Sequence, residues 1–148
     1  MKISYRCDYA LKIILDLAER YPEEFIHRSD IARRQDIPEK FLEQILRTLM
    51  QGGYVRSKKG PKGGYALILH PQKITLGEIV RFIEGTIYPI ACVDPGAPLT
   101  CDFVPKCVFR DVWQEVGQAV SNIVDHITFE QLRQQSAELR EKFFMYYI

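Results

Sequence analysis

The sequence predicts a mainly α-helical fold that carries one small β-hairpin and a long helix near its C-terminus. Three observations lead to this fold class. Apolar residues recur at three- and four-residue steps along most of the chain, which is the period of amphipathic helices. Two short strand-like runs flank a tip rich in glycine and lysine at 57–64, which is typical of a hairpin. An apolar seam extends from Val108 to Ile127.

The length of 148 residues indicates one domain, alone or with an appended element, and 47% apolar with 26% charged residues is an ordinary globular composition. No apolar run approaches the roughly 20 residues that cross a bilayer. Asp8 precedes any apolar core near the N-terminus, so no signal peptide is predicted and we expect a cytoplasmic protein. The net charge is only +1, but residues 1–70 hold 13 Lys and Arg against 9 Asp and Glu. The N-terminal half is therefore the part that favours polyanions.

Two helices are predicted before residue 36. The first spans 5–21 and ends before Pro22, and its two apolar stripes indicate that one faces the core and the other a partner. The second is short, spanning 29–35, with Ser29 as its N-cap.

A turn at Asp36-Ile37 leads into a third helix. Pro38 can occupy the first position of that helix, where its missing N–H costs nothing. The helix stops at Gly52-Gly53 and carries five apolar residues, Phe41, Leu42, Ile45, Leu46 and Leu49.

The hairpin follows, with strands at 54–56 and 65–69, and a fourth helix is predicted over 76–84. Residues 85–105 contain two glycines and four prolines and are predicted to be irregular, which is long for a loop without a function.

The C-terminal part is predicted to hold a long helix over 106–126 and then a short one. Thr128 and Gln131 have the spacing of a capping box at the start of the short helix. The aromatic tail at 143–148 is expected to dock onto a core or a neighbouring subunit.

The second and third helices have the spacing of a helix-turn-helix. Such units need a small residue, a turn residue and two apolar anchors at offsets 0, 4, 10 and 13, and these positions hold Ala32, Asp36, Leu42 and Ile45. Aspartate tolerates the left-handed conformation that this turn requires. The outer face of the third helix then carries Glu39, Lys40, Glu43, Gln44 and Arg47. These side chains can read base edges in a major groove, although a solvated polar face is the alternative interpretation.

The hairpin favours the nucleic-acid interpretation. Its tip concentrates positive charge within seven residues that include no acid, at Arg56, Lys58, Lys59 and Lys62. Charge on a thin projecting element suits a phosphate backbone. A helix-turn-helix followed by a basic hairpin is a winged helix, so double-stranded DNA is the expected partner. Arg28 could reach a phosphate or remain solvated.

Several segments resemble the IscR/NsrR/CymR family of bacterial Rrf-type regulators. The similar segments include Asp8-Tyr9-Ala10, the stretch 31–52 and Gly60-Pro61-Lys62-Gly63-Gly64-Tyr65. The most specific pieces are Leu42-Glu43-Gln44-Ile45-Leu46 and this wing, and the resemblance covers nearly the whole chain, including Gly77-Glu78-Ile79-Val80 and the long C-terminal helix.

The resemblance implies a homodimer joined by the long helix. It also implies base reading by Glu43 and Gln44 and insertion of Lys59 into the minor groove, and Lys40 matches a further contact position. The apolar seam independently favours dimerisation, with an intramolecular core helix as the alternative. A two-fold dimer would place two recognition helices about 34–36 Å apart and favour a near-palindromic operator.

Three of the four cysteines, Cys92, Cys101 and Cys107, lie within 16 residues. They form no C-x-x-C pair, which argues against a structural zinc site. Three thiolates on an irregular segment ending at a helix are suited to an iron–sulfur cluster, and the helix dipole would favour the Cys107 thiolate. A metal-free thiol sensor, zinc or no role are the alternatives.

Within the resembling family, three similarly placed cysteines bind a [2Fe-2S] or [4Fe-4S] cluster, and the fourth ligand varies. This chain departs from the pattern because eight residues rather than about five separate the first two cysteines, and because no histidine shortly follows the last. Asp8 matches the position from which NsrR-like members supply a carboxylate from the partner's first helix. Cys7 and Asp111 are the alternative fourth ligands.

The sequence therefore predicts a winged helix-turn-helix at 1–85, a cysteine-bearing loop at 86–105 and a dimerisation helix with its tail at 106–148. The predicted function is a DNA-binding transcriptional regulator that senses iron–sulfur or redox status through a cluster, with [2Fe-2S] favoured. The alternatives are a cluster-free regulator controlled by thiol oxidation, a partner protein or a small molecule, and a protein-interaction module. An enzyme is not expected, because the three histidines are scattered and no nucleophile–base motif or phosphate loop is present.

Overall fold

A computed structural model describes residues 2–22, 24–99 and 101–147. Over these residues the chain forms six α-helices and a two-stranded antiparallel sheet, which agrees with the mainly helical prediction. The bounds are α1 Tyr5–Ala18, α2 Arg28–Gln35, α3 Glu39–Gln51, β1 Val55–Lys58, β2 Gly64–Leu67, α4 Leu76–Glu84, α5 Arg110–Val124 and α6 Phe129–Tyr147. Short 3-10 helices occupy Pro71–Lys73, Ala91–Val93 and Val104–Lys106. Among the described helices, none combines the length and apolarity that a bilayer crossing requires.

Helix α1 lies at the centre of the fold. The Ser4 hydroxyl caps it by accepting from the Cys7 N–H, and it ends at Ala18, earlier than predicted. It packs against α2, α3, α4, α6 and β2. Ala10, Ile13 and Ile14 are fully buried, so most of both apolar stripes is covered within the chain. Contact with a partner stays a prediction for the half-buried Tyr9 and Leu11.

The helix-turn-helix forms as predicted, with changes at its caps. Asp36 ends α2 in the left-handed conformation, with φ 51° and ψ 48°. His27, rather than Ser29, is the N-cap of α2, because its ring accepts from the Ser29 N–H. Pro38 is the N-cap of α3, so that helix begins at Glu39. Its carbonyl accepts from the Leu42 N–H at 3.0 Å, which starts the helix in the position that the sequence indicates.

The hairpin is antiparallel, pairing Val55 with Leu67 and Lys58 with Gly64. It is docked against the segment before α2 through Ile26 and Tyr65, whose backbone groups exchange two hydrogen bonds of 2.8 and 2.9 Å. Gly64, at φ 144°, permits this approach, since a Cβ there would lie 2.3 Å from the Ile26 carbonyl oxygen.

The C-terminal part differs more from prediction. Helix α4 has the predicted bounds, but α5 begins at Arg110 instead of 106 and ends at Val124, because the 3-10 turn at Val104–Lys106 precedes it. The capping box at Thr128 and Gln131 is present, with the Thr128 N–H donating to Gln131 Oε1 at 2.9 Å. The helix that it starts is long, not short, and includes the described part of the aromatic tail. Ile148, the last residue of that predicted tail, lies outside the described residues.

Candidate nucleic-acid interface and cysteine segment

Helix α3 separates an apolar inner face from a polar outer face. Leu42, Ile45, Leu46 and Leu49 are at most 2% exposed and anchor it to the core. The outer face is exposed at every position that the sequence assigns to it, namely Glu39, Lys40, Glu43, Gln44 and Arg47. This face offers hydrogen-bond donors and acceptors to a groove of about the width of a helix.

The wing presents its cations to solvent. Arg56, Lys58, Lys59 and Lys62 are all exposed. The Arg56 guanidinium and the Lys58 ammonium lie 5.1 and 5.5 Å from the centre of the Phe25 ring, within cation–π range. The tip is closed by a 2.9 Å hydrogen bond from the Gly63 N–H to the Gly60 carbonyl. The wing is thus a folded element with exposed charge, and its tip is not buried.

One short segment, residues 25–28, contacts both the wing and α3. Phe25 and Ile26 contact the hairpin, and Arg28 Nη1 lies 3.8 Å from the Glu43 carboxylate on α3. Arg28 and Glu43 are each about half exposed. The polar face of α3 and the cationic wing therefore flank the same segment, and both are open to solvent.

Phe41 differs from the other four apolar residues that the sequence places on α3. Its side chain is 52% exposed, and it borders a cleft of about 400 Å³ between α1 and α3. The recurrence of apolar residues could not separate Phe41 from its buried neighbours, because Phe41 lies at the edge of the apolar stripe.

The three clustered cysteines are free thiols at different depths. Cys92 and Cys107 are half-buried and Cys101 is exposed. Cys107 precedes α5 by three residues, and its carbonyl accepts from the Arg110 N–H. Among the residues that the structure describes, no three His, Cys, Asp or Glu side chains are arranged to hold a metal ion. The thiol donors suit a cluster chemically, but one chain alone presents no preformed ligand set.

The three alternatives for a fourth ligand differ in accessibility. Asp8 is about half exposed and pairs with Lys12 Nζ at 2.8 Å. Asp111 is exposed in the first turn of α5. Cys7 is fully buried against Val80 and Ile87, so it cannot reach a second chain without unfolding α1. Burial, followed by the nearby Glu84 carboxylate, raises the pKa of the Cys7 thiol to about 11, so it stays protonated.

The start of the cysteine segment, which is the cysteine-bearing loop at 86–105, is packed between the helix-turn-helix unit and α5. Ile87 is buried beside Cys7 of α1 and Val80 of α4. Tyr88 lies over Gly117 of α5, where a Cβ would meet the tyrosine ring at 2.1 Å. Arg81 of α4 also bonds Asp125, the C-cap of α5, a long-range contact that no local sequence signal marks. Movement of this segment would therefore change its contacts with both α1 and α5.

Known proteins resemble this chain in both sequence and structure. The family model Rrf2, described as an iron-dependent transcriptional regulator, matches residues 3–135. The transcriptional regulator CymR of Bacillus subtilis is 32% identical over 146 residues, which is 99% of this chain and of that protein. The structure of that CymR, a global cysteine regulator, has a TM-score of 0.75 at 31% identity and covers 91% of this chain and 98% of that one.

Two further structures have the same architecture. IscR of T. potens has a TM-score of 0.75 at 29% identity, covering 94% of this chain and 90% of that one. The oxidized form of Staphylococcus aureus CymR has a TM-score of 0.71 at 28% identity, covering 90% and 96%. The predicted winged-helix fold class is confirmed by these likenesses.

Proposed function

The chain belongs to the Rrf2 family of transcriptional regulators, and from this premise we propose that it binds a near-palindromic operator as a homodimer. Its relatives are regulators and not enzymes, in agreement with the lack of a catalytic motif. A regulator of this kind would act in the cytoplasm, where a bacterial chromosome lies. One observation carries the proposal. The exposed polar face of α3 and the exposed wing, which contains no acidic residue, both contact residues 25–28.

The proposed DNA contacts follow from the chemistry of each side chain. Gln44 would bond adenine N6 and N7, and Glu43 would accept from cytosine N4. Lys59 would enter the minor groove at the wing tip, where the narrow groove attracts cations. The remaining proposed contacts, to phosphates or guanine, are made by Arg28, Lys40, Arg47, Arg56, Lys58 and Lys62.

Dimerisation is proposed through α5. Its predicted seam is largely solvent-exposed within one chain, with Val112 at 53%, Val116 at 41% and Ile123 at 62%. A continuous apolar face of this kind marks an association surface. We assign 1–85 to DNA binding, 86–105 to sensing and 106–148 to dimerisation, with the first half of α6 packed onto α1.

The cysteine segment is the proposed sensor. Cys92, Cys101 and Cys107 would hold an iron–sulfur cluster, [2Fe-2S] in preference to [4Fe-4S], with Asp8 of the partner subunit as fourth ligand. A bound cluster would supply sensitivity to iron supply and to oxidants. Because the described residues of one chain include no preformed ligand set, the proposed binding requires this loop to rearrange, and Ile87 and Tyr88 would carry that change to α1 and α5. The coupling is then a difference in operator affinity between two states.

A metal-free thiol sensor is the second candidate function. It is favoured by the free, partly exposed thiols and by the lack of a ligand set among the described residues. Oxidation of two of these thiols to a disulfide by a cellular oxidant would then shift the same segment between its two states and so change the operator affinity.

DNA reading is tested by measuring binding to the chain's own promoter region and to duplexes with each footprinted base pair replaced. We expect Gln44→Ala to lose discrimination at one base pair in each half-site, by about 1–3 kcal/mol. Gln72→Ala, which changes an exposed glutamine outside α3, is the matched control. Equal discrimination in both variants, or no specific site at all, would contradict the proposal.

The sensor is tested by anaerobic reconstitution with iron and sulfide. A visible charge-transfer band that disappears in Cys101→Ala, together with unequal operator affinities of loaded and unloaded protein at one salt concentration, supports the cluster. A lack of the band, with operator affinity that responds to oxidant and becomes unresponsive in Cys101→Ala, would favour the thiol sensor instead.

A further inference from the structure

Phe41 is an apolar side chain of α3 that the core leaves exposed. Its neighbours on the inner face are at most 2% exposed, whereas Phe41 is 52% exposed. It lies directly after Lys40 and one helical turn before Gln44, so it borders the face proposed to read DNA. With Tyr5 and Tyr9 it lines a largely apolar cleft, which an apolar group of a partner would fit.

Side chains of α1 lie beside the Phe41 ring. The Tyr9 ring lies behind it, with centroids 6.5 Å apart and planes tilted by 49°. Tyr5 and Arg6 line the same cleft, and Arg6 Nη2 donates to Thr48 Oγ1 of α3 at 2.9 Å. Phe41 and Gln44 border the same cleft, and the Phe41 side chain is about half exposed there.

Resting on the proposed function, we infer that Phe41 determines specificity by contacting the 5-methyl group of a thymine in each half-site. In a major groove the thymine methyl is the apolar feature that distinguishes one base edge from another, and phenylalanine is one of the side chains that contact it. Gln44, one turn away, has the chemistry that reads adenine. Phe41 and Gln44 together would therefore favour adjoining A·T base pairs. Gln44 would read one of them by hydrogen bonds, and Phe41 would read the other by apolar contact.

The test removes the methyl group from the DNA. Each thymine of the footprinted promoter site is replaced in turn by deoxyuridine, which keeps the base pair and deletes only that group. For the wild-type chain we expect affinity to fall about three- to fivefold at one thymine in each half-site, which is the effect of one buried methyl group. In Phe41→Ala the thymine and deoxyuridine duplexes should bind equally at that position, and Phe41→Leu should retain part of the difference.

Ile68→Ala is the control, because Ile68 is a similarly exposed apolar residue, at 46%, that lies outside α3, the wing cations and the proposed dimerisation part. It should keep the full thymine preference. If the wild type shows no thymine preference, or Phe41→Ala keeps it, the inference is overturned while the proposed function stands. Failure of the wild-type chain to bind any promoter site specifically would overturn both.

Discussion

Arg81 of α4 donates from both terminal nitrogens to the carboxylate of Asp125, at the C-terminal end of α5. Nη2 lies 2.8 Å from Oδ2 and also 2.9 Å from the Ser121 hydroxyl. Since α4 packs on α1, this ion pair joins the helix-turn-helix unit to the helix proposed to dimerise. The apolar contact between Tyr88 and Gly117 is a second connection to α5.

The Arg81–Asp125 pair predicts a defined acid sensitivity. The Arg81 hydrogen bonds lower the pKa of Asp125 below its ordinary 3.8, despite partial burial. Because the folded-state pKa is the lower one, the pair stabilises the fold above about pH 4, and the contribution is lost as pH falls through the folded pKa. Both partners are about a third exposed, so the effect is at most about 1 kcal/mol.

Urea unfolding at pH 7, 5, 4 and 3 measures this contribution. The difference in free energy of unfolding between the wild type and Asp125→Asn should be constant from pH 7 to 5 and should shrink as the pH falls below about 4. Other carboxylates act equally in both chains, so they cancel. A difference that does not change with pH would contradict the assignment.

A buried carboxylate fixes α2 against α1. Asp16 is 1% exposed and accepts from Arg34 Nε at 2.9 Å and Nη2 at 2.8 Å. Arg34→Met removes the main partner of a buried charge and should lower the free energy of unfolding by about 3 kcal/mol in urea. Arg33→Met is the neighbouring control, because Arg33 is 77% exposed and pairs with an exposed Asp30. It should cost less than about 1 kcal/mol, and equal losses would contradict this account.

The docking of the wing depends on Gly64. A side chain there meets the Ile26 carbonyl and the His27 N–H, and the backbone is in a conformation that disfavours alanine. We expect Gly64→Ala to cost about 2–3 kcal/mol of stability and to weaken promoter binding. Gly53→Ala shares a positive φ but has open space around it, so it should cost about 1 kcal/mol. Similar losses in both variants would show that docking does not matter.

Thiol labelling distinguishes the two kinds of cysteine. Maleimide at pH 7.5 should label Cys101 first in the folded chain, because it is exposed. Cys7 should stay unlabelled until the protein unfolds, since it is fully buried with a pKa of about 11. Mass spectrometry of labelled peptides reads both, and early labelling of Cys7 would show that the α1–α4 core opens.

Local signals were sufficient for much of the fold. The α4 bounds, the left-handed turn at Asp36, the wing and the capping box at Thr128 depend on neighbouring residues, and all were predicted. The expected polar face of α3 is also exposed, because the apolar residues opposite it leave no other orientation.

Features that depend on distant contacts were not predicted. The exposure of Phe41 depends on where α1 crosses α3, and the Arg81–Asp125 pair joins residues that are 44 positions apart. The late start of α5 follows the 3-10 turn at Val104–Lys106, which apolar periodicity alone does not reveal. Helix α6 continues to Tyr147 although its residues from Ala137 on are exposed, so burial does not explain its length. The proposed arrangement of the cysteines around a cluster would depend in turn on a second chain.

The salt dependence of promoter binding tests most directly whether the wing and α3 grip one duplex. The slope of log affinity against log salt should fall by about one for each phosphate that the protein no longer neutralises. With Lys58, Lys59 and Lys62 all changed to alanine, both subunits of the proposed dimer lose the phosphate contacts of Lys58 and Lys62, so the slope should fall by at least about four. Lys73→Ala, which changes an exposed lysine away from the wing, should leave the slope unchanged. An unchanged slope in the triple variant would contradict the account.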